Sequence, residues 1–541
     1  LELLRSTYRK YPEILLLFLG SLVFLTHLDA LFVNIMEARN FITAREMLID
    51  DNWIFTTMNE LPRYQKPPLP TWLTAISAQI FGIKNVFSYR LPAAMASLFI
   101  ILMFFKIQLL AGIQKKLAFG SSIILMNSFY VFFAGREGQW DIFTHSFIIG
   151  CCYFFFKLFA FPENRLRNAL IAALLLGASL LSKGPVSLYA LFLPFLNSFF
   201  LVFKFGPFPG KWKYLLIFSI TGLIAGSWWS ILIHYYDAEE IARVAALESG
   251  RWFNYNIRPF WYYWSFFTQS GIWTIPAFMG LWYWYLKSRV SNLKAYKFFL
   301  FWTLISLLLL SIIPEKKSRY LLPVLIPLAS TTGFYVEYAI KNFRNNFTKW
   351  ERIPVYLNFI ILTLISLAAP ILLYRFMGEL NAAYFGLSIA LISLGAGFVY
   401  GMAKRKIGLL FSLQAAMMIL IISLGSPLLR SIDPSHNTPN VADLRSFASE
   451  ENLKLYDYNN LMPELIWHYG SSIPNLEKTP GVPPENKFIL LVETEAFPSW
   501  KSEFEGFEAK KWGVLDLNPT YETGKNKRLI REIYILTKQA P

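Results

Sequence analysis

The 541-residue chain is 55% hydrophobic and 18% aromatic with only 16% charged residues, and its mean hydropathy of +0.40 is too high for a water-soluble protein of this length. Lys and Arg outnumber Asp and Glu by 51 to 35, a formal charge of +16, but the cations fall in alternate loops between apolar runs, which reads as membrane topology and makes nucleic acid a poor partner. The two cysteines, Cys151 and Cys152, adjoin within one apolar run, so they neither staple an external domain nor supply a cysteine-based zinc site.

Thirteen apolar runs approach the length needed to cross a bilayer, at 12–31, 92–111, 117–134, 142–161, 168–182, 185–203, 213–233, 272–286, 298–313, 321–340, 354–374, 381–401 and 407–427. The first lacks a small-residue cleavage pattern and reads as an anchor. Arg5, Arg9 and Lys10 and the basic alternate loops predict a cytoplasmic N-terminus. That register places loops 32–91, 135–141, 234–271 and 314–320 on the opposite face, with everything after residue 428. The expected division is a helical membrane domain over 1–427 and an external α/β domain over 428–541, with helix-like stretches at 439–450, 461–469 and 498–507 and strand-like runs at 453–458, 487–493 and 531–538. No internal repeat, P-loop, GxGxxG after a strand, HExxH or GxSxG occurs.

Residues with chemical capacity cluster in the predicted external loops. Met36-Glu37-Ala38-Arg39-Asn40 opens an amphipathic helix to Ile49; Glu37 either complements the helix dipole or acts as a base at headgroup level. Tyr64-Gln65-Lys66-Pro67-Pro68 follows, where Lys66 either snorkels or meets an anion and the prolines stiffen its neighbours. Asp141 begins the 142–161 run, and an acid at membrane depth generally has a partner or a function. Lys183-Gly184-Pro185 interrupts a long apolar stretch. Arg243, Arg251 and Arg258 are interleaved with Trp261, Tyr262 and other aromatics. Pro314-Glu315-Lys316-Lys317-Ser318-Arg319-Tyr320 places three cations on the face where the positive-inside trend disfavours them. An anion bound there explains that breach.

These motifs, in this order, resemble the GT-C glycosyltransferases of the protein O-mannosyltransferase and aminoarabinose transferase superfamily. The resemblance covers roughly residues 10–330, and the many spans followed by an external α/β domain are most similar to the aminoarabinose branch. Each motif alone is weak; five in order at a consistent topology are specific. The resemblance implies a multi-pass bacterial inner-membrane enzyme with a periplasmic C-terminal domain. Such an enzyme moves a sugar, usually with inversion, from a polyprenyl-phosphate carrier such as undecaprenyl phosphate to lipid A, another envelope lipid or glycan, or a protein. It implies Glu37 as the base, with Asp141 orienting the acceptor or sharing that role. Arg39, Lys66, Lys183, Arg251, Arg258, Lys316 and Arg319 would surround the donor phosphate, and Tyr64, Trp261, Tyr262 and Tyr320 would contact sugar, acceptor or lipid. On this reading Glu37→Gln removes activity and spares the fold.

Two positions depart from the superfamily pattern. Met36 stands where many relatives have an acid, leaving Glu37 alone. Gln65 and Asn256 stand where the aminoarabinose branch has a Glu and a metal-binding His, which leaves metal dependence open: a divalent metal is compatible with the resemblance, but no ligand set for it is evident and no other cofactor is expected. A lipid-sugar transporter is the competing class, but transporters are commonly built from repeats with paired broken helices.

Overall fold

The computed structural model describes residues 10–203, 210–377, 380–431, 440–458, 462–476, 482–493, 495, 497–518 and 526–539; the side chains of 251–253, 376–377 and 429–431 lie outside that description. Each of the thirteen apolar runs contains helix, though not all are helical end to end. In chain order the helices of the first half are α1 (Pro12–Phe24), α2 (Ile35–Ile49), α3 (Leu69–Phe81), α4 (Val86–Leu110), α5 (Lys115–Met126), α6 (Phe129–Arg136), α7 (Trp140–Ala160), α8 (Arg165–Lys183), α9 (Leu193–Val202), α10 (Trp212–Tyr236) and α11 (Ala238–Asn254). Those of the second half are α12 (Thr274–Leu281), α13 (Tyr283–Leu286), α14 (Leu293–Ile312), α15 (Leu322–Asn342), α16 (Lys349–Met377), α17 (Ala382–Ala403), α18 (Ile407–Ser431), α19 (Val441–Glu450) and α20 (Pro463–Tyr469).

Among the described residues eight helices are long and apolar enough to cross a membrane, or nine if the bent pair α5–α6 is one span. The other expected runs fall short for local reasons. Helix α1 has 13 residues. Helix α9 is entered through a π-helical turn, Leu188–Phe192. The run at 272–286 is split because Trp282 leaves helical geometry (φ −77°, ψ 84°), and α15 carries Glu337 and Lys341 in its last turns. Helices α5 and α6 meet at 65°, where Ser128 turns extended and the Asn127 amide donates to the Ala415 carbonyl at 3.0 Å. Helices α8 and α10 pack through small residues: a Cβ on Gly177 would lie 2.6 Å from that of Ala225, and one on Gly226 would lie 2.6 Å from Leu180. Close approach of this kind drives association where lipid removes the hydrophobic incentive.

The C-terminal unit is a four-stranded sheet with order β3-β4-β6-β5, formed by Leu455–Asp457, Lys487–Val492, Ile530–Lys538 and Phe507–Asp516; β3 pairs parallel to β4 and the other pairs are antiparallel. A small hairpin, β1 (Thr57–Met58) with β2 (Leu61–Pro62), precedes it in the chain. The expected helix at 498–507 is a short 3-10 turn, Trp500–Phe504. Strand β5 was not expected, because Glu508, Lys510 and Lys511 expose an edge strand whose sequence shows little apolar alternation.

One apolar cluster joins this unit to the 32–91 loop: Leu444, Leu465, Ile489 and Ile533 are continuous with Phe41, Ile42, Met47 and Ala75. The Trp467 ring packs on Phe41 and Tyr89, with centroids 5.1 and 4.8 Å apart. The Arg45 guanidinium donates to the carbonyls of Ile466 and Trp467, and Asn59 exchanges hydrogen bonds with the backbone of Ile473. The tail and the first loop therefore share one face of the helical bundle.

Candidate active site

Helix α2 opens with a capping box in which the Asn34 side chain accepts from the Glu37 N–H while Glu37 accepts from the Asn34 N–H. Glu37 is 0% exposed and its carboxylate is fully engaged. Arg90, from α4, donates Nε to Oε1 at 2.7 Å and Nη2 to Oε2 at 2.9 Å. The Gly138 N–H adds a bond to Oε1 at 2.9 Å. The remaining Arg90 donors go to the carbonyls of Leu28, Leu31 and Phe32. A buried ion pair of this kind stands only when its remaining hydrogen bonds are satisfied. The candidate base is thus enclosed, and it ties α2, α4 and the turn before α7 together.

A second, more open group lies beyond it. Asp141 occupies the first turn of α7 and Lys183 the last turn of α8. These adjacent antiparallel helices put both at one level, and the Lys183 ammonium bonds the Asp141 carboxylate directly. Gly184, at φ +69°, ends α8 immediately after the lysine, a backbone setting that glycine adopts without a Cβ clash. Arg319 and Lys66 are both within electrostatic reach of Asp141. Lys66, half-buried ahead of the Pro67-Pro68 entry to α3, faces Glu248 of α11 at 3.4 Å. Burial pushes its ammonium pKa down, Glu248 opposes that, and Lys183 adds to the lowering. The Lys183 ammonium stands 5.4 Å from the Tyr320 ring, whose hydroxyl donates to Glu315 at 3.1 Å. Arg319 Nε and Gln65 Oε1 are both buried without a hydrogen-bond partner.

The 254–259 and 314–316 segments hold Arg319 and Tyr320 in place by pairing as an antiparallel bridge, Ile257 opposite Glu315. Arg258 N–H donates to the Pro314 carbonyl and Lys316 N–H to the Asn256 carbonyl, each at 3.1 Å. Tyr263 both donates to and accepts from the Lys317 backbone.

Among the residues expected from the sequence, Asp141, Lys66, Lys183, Arg319 and Tyr320 come together. Others stand elsewhere. Lys316 is buried and its ammonium donates to the carbonyls of Arg258 and Ile313, at 3.1 and 2.6 Å, which makes it a brace for the bridge. Tyr64 is buried, edge-on to Trp229 at 6.2 Å, and bonds Asp237; burial first, then that carboxylate, push its hydroxyl up to about 12. Arg39 is half-buried beside Arg63, whose guanidinium covers the Trp140 ring at 4.9 Å. Arg258 is exposed, 5.9 Å from the Tyr262 ring, and Tyr262 shares a hydrogen bond with Ser318 next to Arg319. Trp261 is 69% exposed. The side chain of Arg251 lies outside the described residues.

Sequence reasoning missed Arg90, Glu137 and Glu248. Arg90 carried a usable signal, a cation in the first turns of a long apolar helix whose other cation, Lys106, lies near the opposite end; Glu248, on an ordinary amphipathic helix, carried none. The metal-binding pattern of the resemblance does not fit the residues present. Gln65 and Asn256 offer neutral amides in place of a carboxylate and an imidazole. Among the described residues no group of three or more His, Cys, Asp or Glu converges.

The family model described as dolichyl-phosphate-mannose-protein mannosyltransferase matches residues 65–231. The chain is 25% identical to an undecaprenyl phosphate-alpha-4-amino-4-deoxy-L-arabinose arabinosyl transferase of Shewanella sediminis over 80% of both chains. It is 25% identical to the corresponding transferase 1 of Proteus mirabilis, where the match spans about half the relative's length, 55%, and 56% of this chain. Its structure superposes on the crystal structure of ArnT from Cupriavidus metallidurans bound to undecaprenyl phosphate with a TM-score of 0.68, at 15% identity, over 96% of this chain and 97% of that one. The apo form of the same protein gives 0.68 at 14% identity, covering 98% of each. Along nearly its whole length the chain thus has the multi-pass helical membrane fold of these two structures, and its sequence is similar to the arabinosyl transferases named above.

Proposed function

We propose that the chain is an integral-membrane glycosyltransferase that moves a sugar from a polyprenyl-monophosphate donor, of the undecaprenyl phosphate class, to a lipid or glycan acceptor of the cell envelope. The observation that carries this reading is the convergence of Lys66, Lys183 and Arg319 around Asp141. The donor's leaving group is a lipid phosphate whose charge grows as the glycosidic bond breaks, and preformed cations in a shielded site stabilise that charge most where it is greatest. Lys66 exchanges Glu248 for the phosphate, Arg319 brings a donor that has no partner in the free protein, and Lys183 bridges the phosphate to Asp141. Asp141 orients the acceptor, and Gln65 Oε1, unpartnered beside Lys66, accepts from a sugar hydroxyl. Glu37 acts from behind as the anchor of this wall.

The basic alternate loops support a periplasmic site, a cytoplasmic N-terminus and a periplasmic C-terminal unit. In this reading residues 1–427 do the chemistry and 428–541 support the first loop. The relatives named above make the undecaprenyl-phosphate aminoarabinose donor the first to test, with lipid A as the acceptor that the resemblance implies. Transfer to protein is the second reading, favoured by the description of the family model.

Full-length protein in proteoliposomes, given radiolabelled undecaprenyl-phosphate sugars with lipid A or a peptide, tests the proposal. Label moving from the carrier to lipid A supports the first reading, and label moving to the peptide supports the second. Retention of all label on the carrier, with every donor tried, refutes both. Because no step uses a metal, the same assay after chelation should keep its rate; a loss restored by adding zinc would contradict the amide reading of Gln65 and Asn256.

A further inference from the structure

Glu137 is a further, half-buried carboxylate beside the Glu37–Arg90 pair and Arg319. It closes α6 with its N–H bonded to the Phe133 carbonyl at 3.0 Å, in the turn that leads into α7 and Asp141. The next residue fixes that turn twice: Gly138 N–H donates to Glu37 Oε1 and its carbonyl accepts from Asn40 Nδ2, both at 2.9 Å. A Cβ on Gly138 would lie 2.2 Å from the Phe41 ring, so the backbone has one place to be. The buried Glu37–Arg90 pair therefore sets the position of Glu137.

The three carboxylates differ in what engages them. Glu37 is enclosed and bidentate to Arg90; Asp141 is bonded to Lys183. Glu137 is partly exposed, takes hydrogen bonds from the amides of Gln139 and Asn34, and forms no ion pair among the described residues. The charged groups facing it are Glu37 from α2, Arg90 from α4 and Arg319 from the 314–320 loop. We infer that Glu137 is the catalytic residue that takes the proton from the attacking acceptor hydroxyl, while Lys183 keeps Asp141 for orientation. The inference rests on the transferase reading. In the step the acceptor oxygen bonds to the anomeric carbon, the carbon–oxygen bond to the phosphate breaks with its electron pair going to the phosphate, and the hydroxyl proton passes to the Glu137 carboxylate. Burial, and next the charge of Glu37, raise the proton affinity of Glu137, with Arg90 and Arg319 opposing; a base working near neutral pH needs a raised affinity.

The test uses full-length protein with whichever polyprenyl-phosphate sugar the wild type turns over. Glu137→Gln keeps the shape and most hydrogen bonds. It should lower kcat by about 100-fold or more, leave the donor KM within about threefold, and abolish the acidic limb of kcat/KM. In the wild type that limb should lie above the ordinary carboxylate range. Glu137→Ala, equally inactive, should recover turnover with added formate, a readout that a merely structural residue would not give. A Glu137→Gln kcat within about threefold of wild type, or an unchanged acidic limb, overturns the inference; so does a Glu137→Ala protein that keeps its wild-type melting temperature but is not rescued by formate. If these results appear while Lys66→Ala loses donor turnover, the base assignment fails and the transferase reading stands. A wild type inert toward every donor overturns both.

Discussion

Glu37 is paired with Arg90 at 0% side-chain exposure on both sides, and removing one member of such a pair strands the other, which costs about 3–5 kcal/mol. Glu37→Gln is therefore expected to lose activity together with stability, measured as a lower melting temperature in detergent. A variant that melts like the wild type would restore the simpler base reading. The reason this was not legible is distance in sequence: Glu37 and Arg90 are separated by 53 positions, and no local pattern joins them. Asp141, Lys183 and Arg319 were legible because an acid or a cation at membrane depth, or a cation on the disfavoured face, requires a partner. Lys316 shares that signal with Arg319, yet its ammonium turns inward to two carbonyls, and charge alone cannot distinguish the two.

At the scale of elements, α2 is the hub. Its N-terminus carries Glu37, its middle packs Phe41 over Gly138, and its outer face carries Arg45 to α20. The C-terminal unit thus bears on the site through Trp467, which is buried between Phe41 and Tyr89. Trp467→Ala should cost about 3–5 kcal/mol of packing. It should also speed backbone hydrogen exchange in α2 and α20 and lower transfer without touching the proposed phosphate cations. Exchange rates in α2 equal to wild type would show that the tail is a passenger. Helix positions came through in the sequence because apolar length dominates them. Strand β5 and the break at Trp282 did not, since an exposed edge strand and a single non-helical residue leave no periodic trace.

Across the molecule, the three loops and the tail gather on one face: Lys66 meets Glu248, Ile257 pairs with Glu315, and Arg45 binds the α20 backbone. The alternation of basic loops anticipated that gathering. It could not anticipate which cations gather around Asp141. Donor kinetics of Lys66→Ala beside Lys316→Ala, with donor and acceptor varied separately, therefore test the central claim most directly. Loss of a charged hydrogen bond worth about 1.5–3 kcal/mol predicts that Lys66→Ala lowers kcat/KM for the donor by about 10- to 100-fold with the acceptor KM unchanged. Lys316→Ala should instead lower the melting temperature and leave the donor KM within about threefold. An effect of Lys66→Ala confined to the acceptor KM, or a donor defect for Lys316→Ala in a protein of undiminished stability, would contradict the account.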